Sequence, residues 1–328
     1  MIDKRKQDHI RICLEENVES GDAGFGGIRL QHRASPEINL KDINAKVTFL
    51  KKKLEFPLIF EAMTGGTPEA AKINKALASV AQEFGLGMGV GSQRAAIDDP
   101  SLAYTYEVRD VAPDILLIGN LGAVQLNMGY GASECKRAVE MIGADALALH
   151  MNSLQEAVQP EGDTNFKGLI AKMNKVASQI KTPIIAKEVG CGIDLQTARK
   201  LRVAAFDCGG VGGTSWSLVE SFRNGGTMGQ VGVTYASWGT PTAECVSRLA
   251  KLRKPLIASG GIRSGQDAAK AIALGADVAG VALPLLRAYH RSGQDGLRQY
   301  VKKFQAEFRT ALFLTGSRNI RQIRGRTF

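Results

Sequence analysis

The sequence predicts an α/β fold, a (β/α)8 TIM barrel with an N-terminal extension, and three observations carry that expectation. Apolar runs of strand length recur from Pro57 onward, at Leu58–Ala62, Leu86–Val90, Ile115–Gly119, Ala146–His150, Ile184–Lys187, Ala205–Cys208, Leu256–Ser259 and Val278–Ala282. Helical segments such as PEAAKINKALASVAQEFG and SGQDAAKAIALGA lie between them, each opening on a plausible start residue and finishing at glycine. The runs also end in polar or glycine-rich residues, on the side where barrels of this kind dock ligands. Strands alternating with helices, with no separate all-α or all-β block, point to a parallel sheet covered by helices. A doubly wound open sheet is the main alternative, because closure is not written in a sequence. Nothing after Pro57 reads as a linker, so residues 1–328 are expected to form one domain, with 1–56 as the extension and 57–328 as the barrel and C-terminal helices.

The extension opens with DKRKQDHIRICLEENV, which predicts a helix. Arg5 and His9 are spaced i, i+4 and share a face, with Lys6 beside Arg5. Such a group could grip a diphosphate, or it could be an exposed basic face. SGDAGFGG reads as a loop, and short strands are expected around Ile28–His32 and Ile38–Leu40. VTFLKKKLEFP alternates about a lysine-rich turn, which predicts a small hairpin closing one end of the fold.

Within the barrel, the first strand ends in Ala62-Met63-Thr64-Gly65-Gly66, the second in Gly91-Ser92-Gln93-Arg94 and the third in Gly119-Asn120. Side chains alternate along a strand, so Ala146, Ala148, His150 and Asn152 share one face of the fourth run and Leu147, Leu149 and Met151 the other. Two small residues followed by two polar ones suit a face turned into a barrel, with packing below and chemistry at the mouth. Gln155, Glu156, Gln159, Glu161 and Asp163 follow as a polar cluster. They could form an active site, or be the solvated loop after an ordinary strand.

Lys187 ends the fifth strand. An ammonium in a barrel mouth needs an anionic partner. A flavin provides one, since its N1–C2=O edge becomes negative on reduction; a Schiff-base lysine is the competing chemistry. The sixth strand ends in Gly209-Gly210-Val211-Gly212-Gly213-Thr214, and the glycine-rich stretch from Thr214 to Glu244 has no sustained helical period. It is expected to be a loop that orders over a ligand, or a subunit contact. Ser259-Gly260-Gly261-Ile262-Arg263-Ser264-Gly265 and Ala282-Leu283 follow the seventh and eighth strands, where backbone N–H groups and a helix start often cradle phosphate.

Composition narrows the class. Hydrophobic content of 44% with 37 glycines is globular and turn-rich, and no apolar run approaches the ~20 residues of a membrane helix. Cysteines 13, 135, 191, 208 and 245 are odd in number and form no CxxC pair, which argues for a cytoplasmic setting and against a disulfide framework or zinc site. The net charge of +10 suggests an anionic partner, but the basic residues are scattered and aromatics reach only 6%, so a phosphorylated small molecule is preferred to nucleic acid.

Taken together, Arg5-Lys6-x-x-His9, Ala62-Met63-Thr64-Gly65-Gly66, Gly91-Ser92-Gln93-Arg94, His150-x-Asn152-x-x-Gln155-Glu156, Gln159-Pro160-Glu161-Gly162-Asp163, Lys187-Glu188-Val189-Gly190 and Trp238-Gly239-x-Pro241-Thr242 resemble the type 2 isopentenyl-diphosphate isomerases. The likeness runs from about residue 4 to residue 320, through Leu314-Thr315-Gly316. It implies an FMN-dependent, Mg2+-requiring interconversion of isopentenyl and dimethylallyl diphosphates in isoprenoid biosynthesis, with NADPH as reductant and no net redox change. On that resemblance Ala62, Met63, Thr64, Ser92, Asn120, Lys187, Thr214, Gly261, Ile262, Arg263, Ala282 and Leu283 would hold FMN. Arg5, Lys6, His9, Ser92, Gln93, Arg94, Asn152 and Gln155 would hold the substrate, and Glu156 the metal. Gln155, with His150 and Asn152, is the expected catalytic cluster. A cytoplasmic homo-oligomer that binds neither nucleic acid nor membrane is expected.

These residue types suit the chemistry. Gln155 is no base at ordinary pH, so its role would be to orient the alkene or a proton-relaying water. Glu156 suits Mg2+, a hard cation that bridges diphosphate oxygens, and His150 could tune the cluster by hydrogen bonding. An FMN oxidoreductase of hydroxy acids is the rival enzyme, but it needs a histidine beside arginines near the late strands, and Ser215–Thr240 offers only Arg223 and no histidine. A non-catalytic flavin- or phosphate-binding protein leaves Gln155 and Glu156 unexplained.

Overall fold

Short apolar strands bury both faces only if a sheet closes or is covered on each side, and here it does both. A computed structural model describes residues 2–328, with side chains from Arg5 onward. A hairpin, β1 (Val47–Phe49) and β2 (Lys52–Leu54), precedes eight parallel strands: β3 (Leu58–Phe60), β4 (Gly87–Gly89), β5 (Leu116–Gly122), β6 (Ala146–Met151), β7 (Ile184–Glu188), β8 (Ala205–Asp207), β9 (Leu256–Ser259) and β10 (Val278–Val281). They close as a barrel, with β10 hydrogen-bonded to both β9 and β3, and this rules out the open sheet.

The alternation expected along the fourth run holds. Ala146 and Ala148 lie inside the barrel with Ile59, Leu116, Ile118, Ile185, Ala205, Ile257 and Val278, whereas Leu147 and Leu149 join the shell beneath the helices. The hairpin closes the strands' N-terminal end, where Phe49 and Leu54 complete the interior cluster. Its turn uses Leu50 and Lys51, both at positive φ, as a two-residue hairpin loop with the right twist requires.

The helices are α1 (Ile2–Glu15), α2 (Pro68–Phe84), α3 (Arg94–Asp98), α4 (Ala132–Ile142), α5 (Ser153–Val158), α6 (Leu169–Gln179), α7 (Leu195–Lys200), α8 (Trp216–Arg223), α9 (Gly226–Thr234), α10 (Thr242–Leu249), α11 (Gly265–Ala273), α12 (Leu283–Leu314, kinked at Ser292–Gly293) and α13 (Ile320–Ile323). Local chemistry sets their starts: the Thr67 hydroxyl accepts from Ala70 N ahead of α2, and Ser264 and Asp267 form a reciprocal capping box on α11. Among the described residues, no helix is long and apolar enough to cross a membrane.

Two expectations are corrected. Residues 28–32 and 38–40 form no strands; Leu30 makes a single bridge to Thr327 and Leu40 opens a short 3-10 turn to Asp42, while Ile28, Leu30 and Ile38 pack against the core without a strand to pair with. The glycine-rich stretch after Thr214 is not a structureless loop but α8, α9 and the start of α10. Its helical period was masked because α9 packs through glycine rather than large apolar residues. A side chain at Gly232 would run into the Ser217 carbonyl, so glycine is what lets α9 lie against α8.

Candidate active site

At the C-terminal ends of the strands lies a cavity of about 260 Å3, and its floor is charged. Lys187 follows Ile185 and Ala186 on β7 and points up into the barrel mouth, only 7% exposed. Its Nζ donates to Glu61 Oε2 at 2.8 Å and to Asp207 Oδ2. The pairing is dictated by register, since β7 and β8 set Lys187 directly beside Asp207. Burial works against the ammonium, but Asp207 and Glu61 outweigh it and raise its pKa above the ordinary lysine range. Burial and the Asp207 charge push the Glu61 carboxyl up to about 7, against the pull of Lys187.

The wall next to this floor is polar. His150, at the end of β6, donates Nδ1–H to Asn120 Oδ1 at 2.8 Å. Burial, helped by the nearby Lys187 ammonium, lowers the His150 pKa to about 4, so its Nε2 stays a lone-pair acceptor at neutral pH. Asn152 then uses its one amide nitrogen twice, donating to Gln155 Oε1 at 3.2 Å and to Glu156 Oε1 at 2.9 Å. Glu156 Oε2 also accepts from Asp163 N at 2.6 Å. The buried Asn152 Oδ1 has no hydrogen-bond partner among the described residues.

The roof is α1, anchored by Ile10, Ile12 and Cys13 in the main core. Its polar face meets the loop after β6 and helix α8. Glu220, 1% exposed on α8, is the hub. It receives His9 Nε2 at 2.8 Å, Gln155 Nε2 at 3.2 Å and Arg223 Nε at 2.7 Å. With its amide oriented to satisfy both neighbours, Gln159 donates to Glu220 and accepts from Arg5, each at 3.1 Å. Burial alone would raise the Glu220 carboxyl, but His9 and Arg223 outweigh it and hold the pKa at about 2. Glu161 lies 3.8 Å from Arg5 and 2.8 Å from Arg223. Lys6 donates to Tyr106 Oη at 2.6 Å and to the Ser92 carbonyl at 3.3 Å, and Arg94 pairs with Asp163 at 3.2 Å.

The far end of the cavity is made of backbone. Gly261, at φ +69°, would drive a side chain into the Gly212 carbonyl, so the loops after β8 and β9 touch there with no room for a Cβ. Arg263 is held by Glu19, from the segment after α1, and Glu19 also binds Arg287 of α12 at 3.0 Å.

A profile described as FMN-dependent dehydrogenase matches residues 134–328. Proteins named isopentenyl-diphosphate delta-isomerase match far more of the chain: that of Nostoc sp. is 50% identical, spanning 98% of this chain and 93% of its own, and that of Methanoregula boonei is 49% identical, spanning 98% and 91%. The chain belongs to the FMN-dependent, type 2 isopentenyl-diphosphate delta-isomerase family. Solved structures share its fold: a flavocytochrome b2 variant at TM-score 0.69 and 15% identity, covering 98% of this chain and 82% of its own, and a mandelate oxidase variant at TM-score 0.67 and 17% identity, covering 99% and 98%.

Of the residues the family resemblance singled out, the cavity brings together Arg5, Lys6, His9, Ala62, Met63, Thr64, Ser92, Arg94, Asn120, His150, Asn152, Gln155, Glu156, Lys187, Thr214, Gly261, Arg263, Ala282 and Leu283. Two others stand apart. Gln93 is fully buried behind the wall, donating to the Ala138 carbonyl at 2.7 Å and accepting from Asn120 N at 3.0 Å, so it braces the strand ends rather than facing a ligand. The Ile262 side chain is part of the hydrophobic core, which leaves only its backbone near the cavity.

Three further expectations change. Lys187 already has two protein carboxylates and does not depend on a ligand for its counter-charge. His150 bonds to Asn120 rather than to the Gln155–Glu156 cluster. Gly261 is glycine because two loops collide there, not only because a phosphate must approach. The partners that sequence reasoning missed are Glu19, Glu61, Asp207 and Glu220. Asp207 did leave a signal, as a lone acid inside the apolar run AFDC on the strand after Lys187.

Proposed function

We propose that this chain interconverts isopentenyl and dimethylallyl diphosphates, using reduced FMN and Mg2+, with a reduced nicotinamide such as NADPH supplying the electrons that prime the flavin. The observation that carries the reading is the joining of two halves in one cavity: a roof of Arg5, Lys6 and His9 above the Gln155–Glu156 pair, and a lysine floor beside glycine-rich loops. Nearly full-length relatives of that name at about half identity support it.

The residues present fit both groups. Backbone without side chains at Gly213 and Gly261, next to Arg263 and the start of α12, suits a phosphate end, and Lys187 suits a ring edge that gains negative charge. Glu156 has used one lone pair on each oxygen and retains others for a hard cation. One carboxylate together with substrate oxygens is the kind of ligand set Mg2+ takes.

When bound and reduced, FMN supplies a flat, electron-rich surface whose N5 can carry a proton. The chain's own residues do the rest. Arg5, Lys6 and Arg94 neutralise the diphosphate, His9 helps to orient it, and α1 excludes water from the reacting carbons. Asn152 and Glu220 fix both ends of the Gln155 amide, so Gln155 presents one orientation to the alkene or to a relaying water. His150, neutral, holds Asn120 in place. A hydroxy-acid oxidoreductase would need a histidine beside arginines near the late strands, and the stretch Ser215–Thr240 carries Arg223 and no histidine.

Anaerobic incubation of the reduced-FMN protein with isopentenyl diphosphate and Mg2+, followed by product analysis, tests the reading. Dimethylallyl diphosphate formed with no stoichiometric consumption of reductant is the expected result. Absence of product with full flavin occupancy overturns it.

A further inference from the structure

One buried carboxylate on the cavity floor has no part in the grip, the metal site or the orientation of Gln155. Glu61 sits at the end of β3 beneath the mouth, 7% exposed, and its bonding is lopsided. Oε2 accepts from Lys187 at 2.8 Å, whereas Oε1 has no partner among the described residues and lies against Gly280 of β10, where a side chain would collide with it. Asp207, across the same ammonium, is better served: Oδ2 accepts from Lys187 and Oδ1 from the Ser259 hydroxyl.

Two carboxylates share one ammonium, and none of the three exceeds 7% exposure. Fully ionised, the group buries an uncompensated negative charge, which a desolvated site disfavours. The last proton is therefore lost near neutral pH rather than in the ordinary carboxylate range, and it leaves the acid with fewer donors. The other groups facing Glu61 do not change this account. His150 of β6 is neutral near pH 7, and the Glu188 carboxylate is turned outward onto the N–H groups of residues 189–192.

Resting on the reading of this cavity as a flavin site, we propose that Glu61 is the proton-exchanging member of the Lys187 triad and takes up a proton when the bound flavin is reduced. Two electrons, from dithionite or a nicotinamide hydride donor, enter the ring with one proton and leave it one negative charge richer. Above the titration of Glu61, a second proton passes from solvent to its carboxylate. Lys187 then faces one carboxylate and the charged ring edge in place of two carboxylates, so the buried charge is unchanged. The raised pKa of Glu61, about 7, puts this exchange within reach of neutral solution.

The test is the pH dependence of the midpoint potential of bound FMN in the wild type and in Glu61→Gln, an isosteric variant that cannot ionise. The wild type should take up one more proton per two electrons than the variant above the titration of Glu61, with a break in slope near neutral pH. Glu61→Gln should give a straight line and nearly unchanged FMN affinity. Infrared spectroscopy adds a readout that needs no flavin: at about pH 6 the wild type should show the C=O stretch of a protonated carboxyl that Glu61→Gln lacks. Identical proton counts in the two proteins overturn the proposal, and so does a wild-type line without a break, a result that does not depend on the variant folding. Failure to bind FMN at all would instead overturn the functional reading, and the infrared band would still decide whether Glu61 holds a proton.

Discussion

Gln155 and Glu156 are adjacent in the chain yet answer to different partners, and this separates their expected phenotypes. Glu156 accepts from two donors, Asn152 Nδ2 and Asp163 N, so an amide in its place turns an N–H toward donors as well as losing the charge. Glu156→Gln should raise the Mg2+ concentration for half-maximal activity by about tenfold or more, a loss of about 1.4 kcal/mol, and leave FMN uptake intact. An unaltered Mg2+ titration would remove the metal role. His150 gives a prediction in pH. Its folded pKa is about 4 against an ordinary 6.5, so between those values the unfolded chain binds more protons and stability falls as pH falls. Replacing His150 with Gln should flatten that decline, which is worth at most about 1.4 kcal/mol per pH unit. Denaturant melts of both proteins at pH 4.5, 5.5 and 7 would measure it.

At the scale of elements, α1 shows how sequence pattern and structure divide the evidence. The i, i+4 spacing of Arg5 and His9 was legible, but a grip and a solvated face look alike in a sequence. What separates them is the acceptors opposite, Glu161, Gln159 and Glu220, and these come from segments far away in the chain. The buried face of α1, through Ile10 and Ile12, does not involve Arg5. Arg5→Ala should therefore raise the substrate KM about tenfold or more, the worth of one charge-assisted bond, with flavin spectrum and thermal midpoint nearly unchanged. A lost midpoint would make the residue structural, and an unchanged KM would return α1 to a solvated face. The region of α8 and α9 was the least legible, because its packing relies on absent side chains and leaves no apolar stripe to count. That is also why Glu220, the hub of the roof, went unseen.

At the scale of the whole molecule, the strands could be read because each is buried on both faces, and the cavity because polar or glycine-rich residues recur at one end of every barrel strand but the last. Closure and ion pairing across strands could not be read, since both depend on register between runs many residues apart. The net charge of +10 is a statement of the same coarse kind, and it can be separated from the grip. Lys51 and Lys53 are exposed on the hairpin that closes the N-terminal end of the barrel, opposite the cavity. At physiological ionic strength the field of an exposed charge is screened over about 8 Å, less than the depth of a strand layer and its hairpin. Exchanging both lysines for glutamate moves the net charge by −2 at each position, from +10 to +6, without touching Arg5, Lys6, His9 or Arg94. If the local cations hold the diphosphate, KM of the double variant should stay within about twofold of the wild type at 0.15 M salt, whereas Arg5→Ala should not. A tenfold rise in KM from the distant pair would mean that the protein's overall field, rather than α1, governs capture of the substrate, and steady-state kinetics on the two variants side by side decides between them.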